Sequence, residues 1–191
     1  EMCIRDSVYT STDLVFDGLK APYQESDPVC PVNVYGEHKA LAEERILNAY
    51  PQSAVCRISL MFGLSGPVAK SFMQPMLLAM KEGRELSLFV DEFRTPLSAA
   101  TAVAGLFLAL DKVRGIIHLG GKDRISRHDF GKLMQRIFKF ENAKIRPCKQ
   151  DQIHMPALRP TDVSLDSSKA AALGFRPLPL IEELQSIYES L

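Results

Sequence analysis

Tyr35 and Lys39 are the residues whose types and spacing could carry out chemistry, because they lie four positions apart in the stretch VYGEHKALAEE. A helix would place both side chains on one face. A tyrosine hydroxyl ordinarily has a pKa near ~10, and a neighbouring ammonium group favours the phenolate form. The pair could therefore exchange a proton with a substrate near neutral pH. The spacing alone is weak evidence, since a solvated pair on a surface helix would show the same pattern.

A third candidate, Thr12, follows the β-branched and aromatic run VYTS, which predicts a strand over Val8–Ser11. Open α/β sheets bind ligands at the carboxyl ends of their strands, so Thr12 would present a hydroxyl group at that edge. This hydroxyl could hold the oxygen atom that reacts with Tyr35. The sequence S-T-D at the strand end is also typical of a turn or a helix cap, and the residues alone leave both interpretations open.

Predicted strands and helices alternate along the chain, which indicates an α/β fold with a parallel sheet. The strands expected from the sequence are Val8–Ser11, Ala54–Leu60, Glu85–Val90, Gly115–Leu119 and a short one at Ile145. The expected helices are Val34–Tyr50, Val68–Lys81, Ser98–Leu110, Ser126–Phe138, Ser167–Leu173 and a last helix from Leu180 to the C-terminus. Residues 17–33 contain several prolines and predict a loop.

Residue patterns also predict which side chains are buried. The first helix is expected to bury an apolar stripe made of Ala40, Leu41, Ile46 and Leu47. Its charged run E-E-R over residues 43–45 is expected to face solvent. His118 alternates with apolar neighbours in its strand and is expected to be a hydrogen-bonded core or boundary histidine.

The composition of the 191 residues argues against several classes of protein. Basic and acidic residues balance at 23 each, which argues against partners such as nucleic acid or anionic membranes. The longest apolar stretch, Ala99–Leu110, is too short to span a bilayer. The four cysteines are scattered, and His128 and His154 have no partner at metal-binding spacing, so we expect neither disulfides nor a metal site. A cytoplasmic location is expected.

Several motifs occur in one order along the chain and together form a specific pattern. They are STDLVFDG (11–18), PYQESDP (22–28), PVNVYGEHKALAE (31–43), RISLMFG (57–63), DEFRTP (91–96), IIHLGG (116–121) and RPTDVSLDSSK (159–169). This ordered set resembles the extended short-chain dehydrogenase/reductase family, and within it most closely the dTDP-4-dehydrorhamnose reductases and their relatives. The resemblance covers nearly the whole chain from Val8 onward.

The resemblance implies an incomplete NAD(P)-binding Rossmann fold, namely the C-terminal half of its parallel sheet, with a smaller α/β substrate lobe. Residues 8–66 would form the half Rossmann domain with the catalytic motif. Residues 67–191 would form mainly the lobe, with 98–120 returning to the sheet. The sequence contains no G-x-x-G-x-x-G turn, which the family uses for the cofactor pyrophosphate. Because residues 1–7 also show no clear period, a C-terminal fragment with a non-native start is expected.

The family motif, matched residue by residue, assigns catalytic roles to Thr12, Tyr35 and Lys39. Tyr35 matches the proton donor to a keto oxygen as hydride arrives from the reduced cofactor, which is NADP or NAD. Thr12 matches the hydroxyl that hydrogen-bonds the substrate oxygen. Lys39 matches the residue that grips the nicotinamide ribose and tunes the tyrosine, so Tyr35 and Lys39 are also expected to bind the cofactor.

Three arginines complete the predicted site. Arg57 is assigned to the cofactor side, with a structural hydrogen-bonding role as the alternative. Arg94 and Arg159 are assigned to the substrate, since a guanidinium fork suits phosphate groups. For Arg94, a loop salt bridge with Asp91 or Glu92 is the open alternative.

The implied activity is NAD(P)H-dependent reduction of a keto group on a nucleotide-linked sugar, which would be the small-molecule partner. The alternatives are a non-catalytic sugar-nucleotide-binding or regulatory subunit on the same scaffold, and a sugar-nucleotide epimerase or dehydratase. A dehydratase would carry an acidic pair after the catalytic threonine, whereas Asp13 is followed by Leu14. The reductases tend to carry a tryptophan where this chain has Leu60, which leaves the sugar open. A homodimer is one assembly that the resemblance allows.

Overall fold

Strands and helices alternate in the computed structural model, which describes residues 7–64 and 71–191. The strands are β1 (Val8–Thr12), β2 (Ala54–Ile58), β3 (Met61–Phe62), β4 (Glu85–Phe89), β5 (Phe93–Arg94), β6 (Leu97–Ser98), β7 (Gly115–Leu119), β8 (Ile125–Ser126) and β9 (Lys144–Cys148). The helices are α1 (Val34–Ala49), α2 (Met73–Lys81), α3 (Ala99–Lys112), α4 (Arg127–Ile137), α5 (Ser168–Leu173) and α6 (Leu180–Glu189). Short 3-10 turns lie at Asp13–Val15 and Gln150–Gln152.

A parallel sheet with the strand order β1–β2–β7 positions the rest of the fold. Thr12, Ile58 and Leu119 are partners in its register, so the carboxyl ends of the three strands meet at one edge. All residues of β2 are buried, as expected for the middle strand of a parallel sheet that is covered on both faces. Helix α1 connects β1 to β2. These features confirm the predicted α/β class and its βαβ unit.

Helix α1 begins with a side-chain cap and a close contact against the turn that follows β1. Asn33 Oδ1 accepts a hydrogen bond from the backbone N–H of Gly36 at 2.9 Å, which satisfies one of the free N–H groups at the helix start. A Cβ atom at Gly36 would lie 2.2 Å from the carbonyl oxygen of Leu14. Glycine is therefore required here, because the first turn of α1 crosses the 3-10 turn directly.

The buried face of α1 differs from the predicted one. Leu41 is expected inside but is 44% exposed, so that part of the predicted stripe is wrong. The buried residues of α1 are Gly36 and Glu43, and Ala40 packs against a buried cluster. Gly36, Ala40 and Glu43 share one face, whereas Leu41 is turned by about 100° from Ala40. The close contact at Gly36 fixes this rotation of the helix.

Buried apolar side chains of the described residues form three clusters. The first packs the central sheet against α3 and α5, and it includes Cys56, Ile58, Ala109, Ile117, Leu119, Ala170 and Phe175. The second packs α2, α4 and α6 against β4 and β9, and it includes Phe62, Met73, Met80, Phe130, Met134 and Leu184. The third holds the loop of residues 17–33 through Val15, Phe16, Tyr23, Val163 and Leu165. None of the described helices is both long and apolar enough to cross a membrane.

Most predicted elements are confirmed, with small shifts at their ends. Strand β7 has the predicted bounds, Ser126 caps α4, and Gly174 ends α5 with a φ of 109°. Residues 1–6 and 65–70 lie outside the described residues, and with them the irregular start, the beginning of the helix predicted from Val68 and the domain boundary predicted after residue 66. The short strands β3, β5, β6 and β8 are not predicted, because two residues carry no periodic pattern.

Replacing Gly36 with alanine is expected to lower the free energy of unfolding by about 1–3 kcal/mol, because the new methyl group overlaps the Leu14 carbonyl. At an open helix position the same change would stabilise the helix by about 1 kcal/mol. Urea denaturation measures the difference. The control is Leu41→Ala on the exposed side of α1, which should change stability by only about 0.5 kcal/mol. A stabilised Gly36→Ala variant would contradict the close contact.

Candidate active site

A cavity of about 510 Å³ lies at the carboxyl edge of β1 and β2. It brings together most of the residues that the sequence assigns to the site, namely Thr12, Tyr35, Lys39, Arg94 and Arg159. Arg57 does not line it. The cavity also includes side chains that the sequence does not assign to the site, among them Asp13, Ser59, Glu92 and Arg127. Its location agrees with the ligand sites of open α/β sheets.

Thr12 ends β1 and caps the turn that follows. Its Oγ1 accepts a hydrogen bond from the backbone N–H of Leu14 at 3.2 Å, and the residue is 7% exposed. Because Oγ1 accepts this bond, its own proton can be donated to another group. The contact with Asp13 Oδ1 is long, at 3.4 Å. Thr12 therefore caps the turn and also lines the cavity, so both interpretations of the S-T-D sequence agree with its position.

Tyr35 and Lys39 lie on the first turns of α1, beside the end of β1. Tyr35 is 54% exposed, so its hydroxyl is accessible from the cavity. The Lys39 ammonium donates a hydrogen bond to the carbonyl oxygen of Thr10 at 2.8 Å. It lies 5.9 Å from the centre of the Tyr35 ring and 4.9 Å from the centre of the Tyr9 ring. Lys39 thus joins α1 to β1 and adds positive charge close to the tyrosine.

Glu43 continues the four-residue spacing of Tyr35 and Lys39 by one more turn, and it attaches α1 to the sheet. The prediction of a solvated face is wrong for Glu43, which is 3% exposed. Its carboxylate accepts hydrogen bonds from Arg57 Nη2 at 2.7 Å and Nε at 3.1 Å. Ser11 also donates a hydrogen bond to it. The continued spacing was the sequence signal that could have identified this residue.

Arg57 lies under the site and not in it. Its guanidinium is 3% exposed, is paired with Glu43 and lies 5.0 Å from the ring centre of Phe16. Its Nη1 is 3.5 Å from Nε2 of His118. These contacts agree with the structural alternative for Arg57, and the cofactor contact assigned to it finds no support in its position. His118 is fully buried, and its Nδ1 lies 3.1 Å from the Tyr23 carbonyl oxygen, so the predicted core histidine is confirmed.

Three arginines converge on Glu92, and this arginine cluster forms a second wall of the cavity. Arg94 Nη2 and Arg127 Nε each lie 3.5 Å from Glu92 Oε1. Arg159 Nη1 lies 3.3 Å from Oε2. Glu92 is 1% exposed. Arg94 therefore lines the cavity and also makes one of the two salt bridges that the sequence left open as an alternative.

Asp13 connects Thr12 to the arginine cluster. Its Oδ2 accepts a hydrogen bond from Ser59 at 2.9 Å and lies 3.6 Å from Arg94 Nε. Burial raises the pKa of the Asp13 carboxyl, although the positive charge of Arg94 opposes the shift. The sequence could not reveal this group of side chains, because they come from segments far apart in the chain.

The parallel sheet, the βαβ unit and the Tyr–Lys pair at its carboxyl edge define a Rossmann-like protein of the short-chain dehydrogenase/reductase type. Residues 6–191 match the family model described as RmlD substrate binding domain. The chain belongs to that family, which confirms the resemblance found in the motifs.

Curated relatives carry two different names. The chain is 29% identical over 175 residues to methionine adenosyltransferase 2 subunit beta of Danio rerio, covering 87% of this chain and 54% of that protein. It is also 29% identical over 178 residues to dTDP-4-dehydrorhamnose reductase of Burkholderia thailandensis, covering 84% of this chain and 59% of that protein. The chain thus spans little more than half the length of these relatives.

Solved structures show the same fold. A dTDP-4-dehydrorhamnose reductase from Clostridium acetobutylicum superposes with a TM-score of 0.88 at 27% identity, covering 96% of this chain and 65% of that chain. The Bacillus anthracis dTDP-4-dehydrorhamnose reductase, solved in complex with NADP, superposes with a TM-score of 0.84 at 26% identity and the same coverage.

Replacing Glu43 with alanine is expected to lower the free energy of unfolding by about 3–5 kcal/mol, because Arg57 would be left buried without its partner. Urea denaturation followed by circular dichroism measures the change. Glu44→Ala is the matched control, since Glu44 is the exposed neighbour on the same helix and should shift stability by at most about 0.5 kcal/mol. Equal effects of the two changes would contradict the importance of the buried pair.

Stability is expected to fall as the pH decreases from about 6.5 to about 4. Burial lowers the pKa of His118 from 6.5 to about 4. In this interval the unfolded chain binds a proton that the folded protein excludes, so acid favours unfolding by up to about 3 kcal/mol. His118→Asn should flatten this part of the stability–pH curve, measured by urea denaturation at pH 7, 6, 5 and 4. An unchanged slope in the variant would show that other groups cause the dependence.

Proposed function

We propose that this chain carries the catalytic and substrate-binding residues of a reductase that uses NADPH or NADH to reduce a keto group on a nucleotide-linked sugar. The observation that carries the proposal is that Thr12, Tyr35 and Lys39 line one cavity together with the arginine cluster. Relatives named dTDP-4-dehydrorhamnose reductase support the same chemistry.

In this mechanism Tyr35 and Thr12 act on the keto oxygen of the substrate. The reduced nicotinamide, when bound, supplies the hydride to the carbonyl carbon. The Tyr35 hydroxyl gives its proton to the oxygen as negative charge develops there. Thr12 donates a hydrogen bond to the same oxygen and stabilises that charge. The Leu14 N–H donates to Oγ1, so the threonine hydroxyl keeps its own proton for donation to the substrate oxygen.

Lys39 fits the nicotinamide end of the cofactor. An ammonium group has three donors, and the Thr10 carbonyl takes one of them. In the described part of the chain, the other donors are therefore available to ribose hydroxyls. The positive charge also favours the transfer of a proton from the neighbouring tyrosine. The fit concerns this end alone, because the 191 residues contain no glycine-rich turn for the pyrophosphate.

Arg94 and Arg159 would hold the phosphate groups that link the sugar to its nucleoside. Both line the cavity, and guanidinium groups form paired hydrogen bonds with phosphate oxygens. Arg159 is about half exposed and Arg94 is buried. The exposed side chain of Arg159 could therefore move to meet the substrate, whereas the buried side chain of Arg94 is already in place.

A second candidate function is a regulatory subunit that binds a nucleotide-linked ligand without turnover. The observation that favours it is the 29% identity to methionine adenosyltransferase 2 subunit beta. Leu60, which stands where the reductases tend to carry a tryptophan, also lines the cavity. This candidate requires the same cavity and the same arginines, but it has no need for proton transfer from Tyr35.

Tyr35→Phe is expected to lower kcat for NADPH oxidation with a dTDP-4-keto-6-deoxy sugar by about 100-fold or more, because the variant lacks the proton donor. The affinity for the sugar nucleotide, measured by calorimetry, should change less than about twofold. Tyr50→Phe is the matched control, because Tyr50 is exposed and lies at the opposite end of α1. This variant should retain the full rate. Turnover that survives Tyr35→Phe would contradict the mechanism. If the unaltered chain binds both NADPH and the sugar nucleotide but shows no turnover, the regulatory function is favoured.

A further inference from the structure

Arg127 lines the cavity, but neither the motifs nor the proposed mechanism gives it a role. It is the first residue of α4, and Ser126 caps that helix. The side chain is 17% exposed, and its guanidinium lies 4.5 Å from the ring centre of Phe72. Within the described residues its Nη1 is buried and has no hydrogen-bond partner. A buried donor without a partner is costly and calls for a functional explanation.

The arginine cluster holds more positive charge than its own carboxylates neutralise. The cavity is lined by four basic side chains, Lys39, Arg94, Arg127 and Arg159, and by two acidic ones, Asp13 and Glu92. Burial lowers the pKa of Arg127, and the nearby charges of Arg94 and Arg159 lower it further, while Glu92 opposes the shift. The site is therefore built for an additional negative charge.

The distances to Glu92 support the same conclusion. A charge-assisted hydrogen bond between a guanidinium and a carboxylate normally measures about 2.7–2.9 Å. The three contacts to Glu92 measure 3.3–3.5 Å, because two oxygen atoms are shared among three cations. By contrast, Arg57 reaches Glu43 at 2.7 Å. Glu92 therefore holds the three arginines nearby but does not satisfy all of their hydrogen-bond donors.

We propose that Arg127 is an anion-binding residue of this cavity and that its ligand is the diphosphate group of a nucleoside diphosphate or of a sugar linked to one. A diphosphate offers several acceptor oxygens and more than one negative charge, which matches a cluster of guanidiniums better than a single carboxylate does. The identity of the ligand rests on the proposed function. The anion site itself rests on the cavity and the arginine cluster, while the unpaired, buried Nη1 shows that, within the described residues, Arg127 keeps a donor that Glu92 does not satisfy.

The test is calorimetric titration of the full chain with dTDP, dTMP, thymidine and inorganic pyrophosphate. Arg127→Met keeps an apolar stem over Phe72 and removes the donors. It is expected to weaken binding of dTDP and pyrophosphate by about 10-fold or more and to leave thymidine binding unchanged. Arg124→Met is the matched control, because Arg124 lies three residues away, is half exposed and pairs with Asp162. It should leave all affinities unchanged.

A folded Arg127→Met variant that binds dTDP and pyrophosphate as tightly as the unaltered chain would overturn the proposal. If that variant does not fold, the unaltered chain gives the answer through modification with phenylglyoxal, mapped by mass spectrometry. Protection of Arg127, but not of Arg124, by pyrophosphate supports the site, and equal modification with and without pyrophosphate overturns it. Pyrophosphate binding that depends on Arg127, in a chain that binds NADPH but does not reduce any sugar nucleotide, would keep the anion site and reject the proposed function.

Discussion

The buried pair of Glu43 and Arg57 fixes the relation between α1 and the sheet, and the geometry of the cavity depends on that relation. Burying two charges is unfavourable unless the partners satisfy each other. Here the carboxylate accepts hydrogen bonds from two nitrogen atoms of the guanidinium and from the Ser11 hydroxyl. These bonds offset the cost of burying the two charges. Tyr35 and Lys39 lie two turns and one turn earlier on the same helix face. Their positions at the end of β1 therefore follow from a contact outside the cavity, while the close approach at Gly36 sets the distance between helix and strand.

Two buried glutamates have opposite consequences because their surroundings differ. Glu43 has short bonds to one arginine and one serine, and this makes it a rigid connection. Glu92 shares its oxygens among three arginines at longer distances, and this leaves the cations able to bind something else. The comparison fits the positions of two arginines: Arg57, which the resemblance assigns to the cofactor side, pairs with Glu43 outside the cavity, whereas Arg127, which no motif includes, lines the cavity. In both cases the number and distance of the partners decide the role, and the residue type does not.

Local sequence patterns predicted the elements well because strands, caps and glycine ends are local features. The bounds of β7, the cap at Ser126 and the glycine at the end of α5 follow from neighbouring residues alone. The face that α1 buries could not be predicted in the same way. Its apolar residues suggested Leu41, but the contact at Gly36 and the pair at Glu43 turn that side chain outward. The family motif grouped residues that the structure brings together, since the cavity collects Thr12, Tyr35, Lys39, Arg94 and Arg159, and the roles assigned to them stay predictions. Arg127 could not be found, because its place depends on how α4 packs.

The distribution of groups around the cavity implies an orientation for the proposed substrate. The groups to which we assign proton transfer, Thr12 and Tyr35, come from β1 and α1. The arginines that we propose bind an anion come from β5, α4 and the loop that contains Arg159. Under the proposed function, a keto sugar linked to a nucleoside diphosphate would supply both a carbonyl for Thr12 and Tyr35 and concentrated negative charge for the arginines. Binding energy gained at the arginines would then position the carbonyl at the tyrosine, so a ligand without the diphosphate loses reaction rate as well as affinity. A regulatory protein on this scaffold would use the same arginine cluster. The two functions would then differ only in whether Tyr35 transfers a proton.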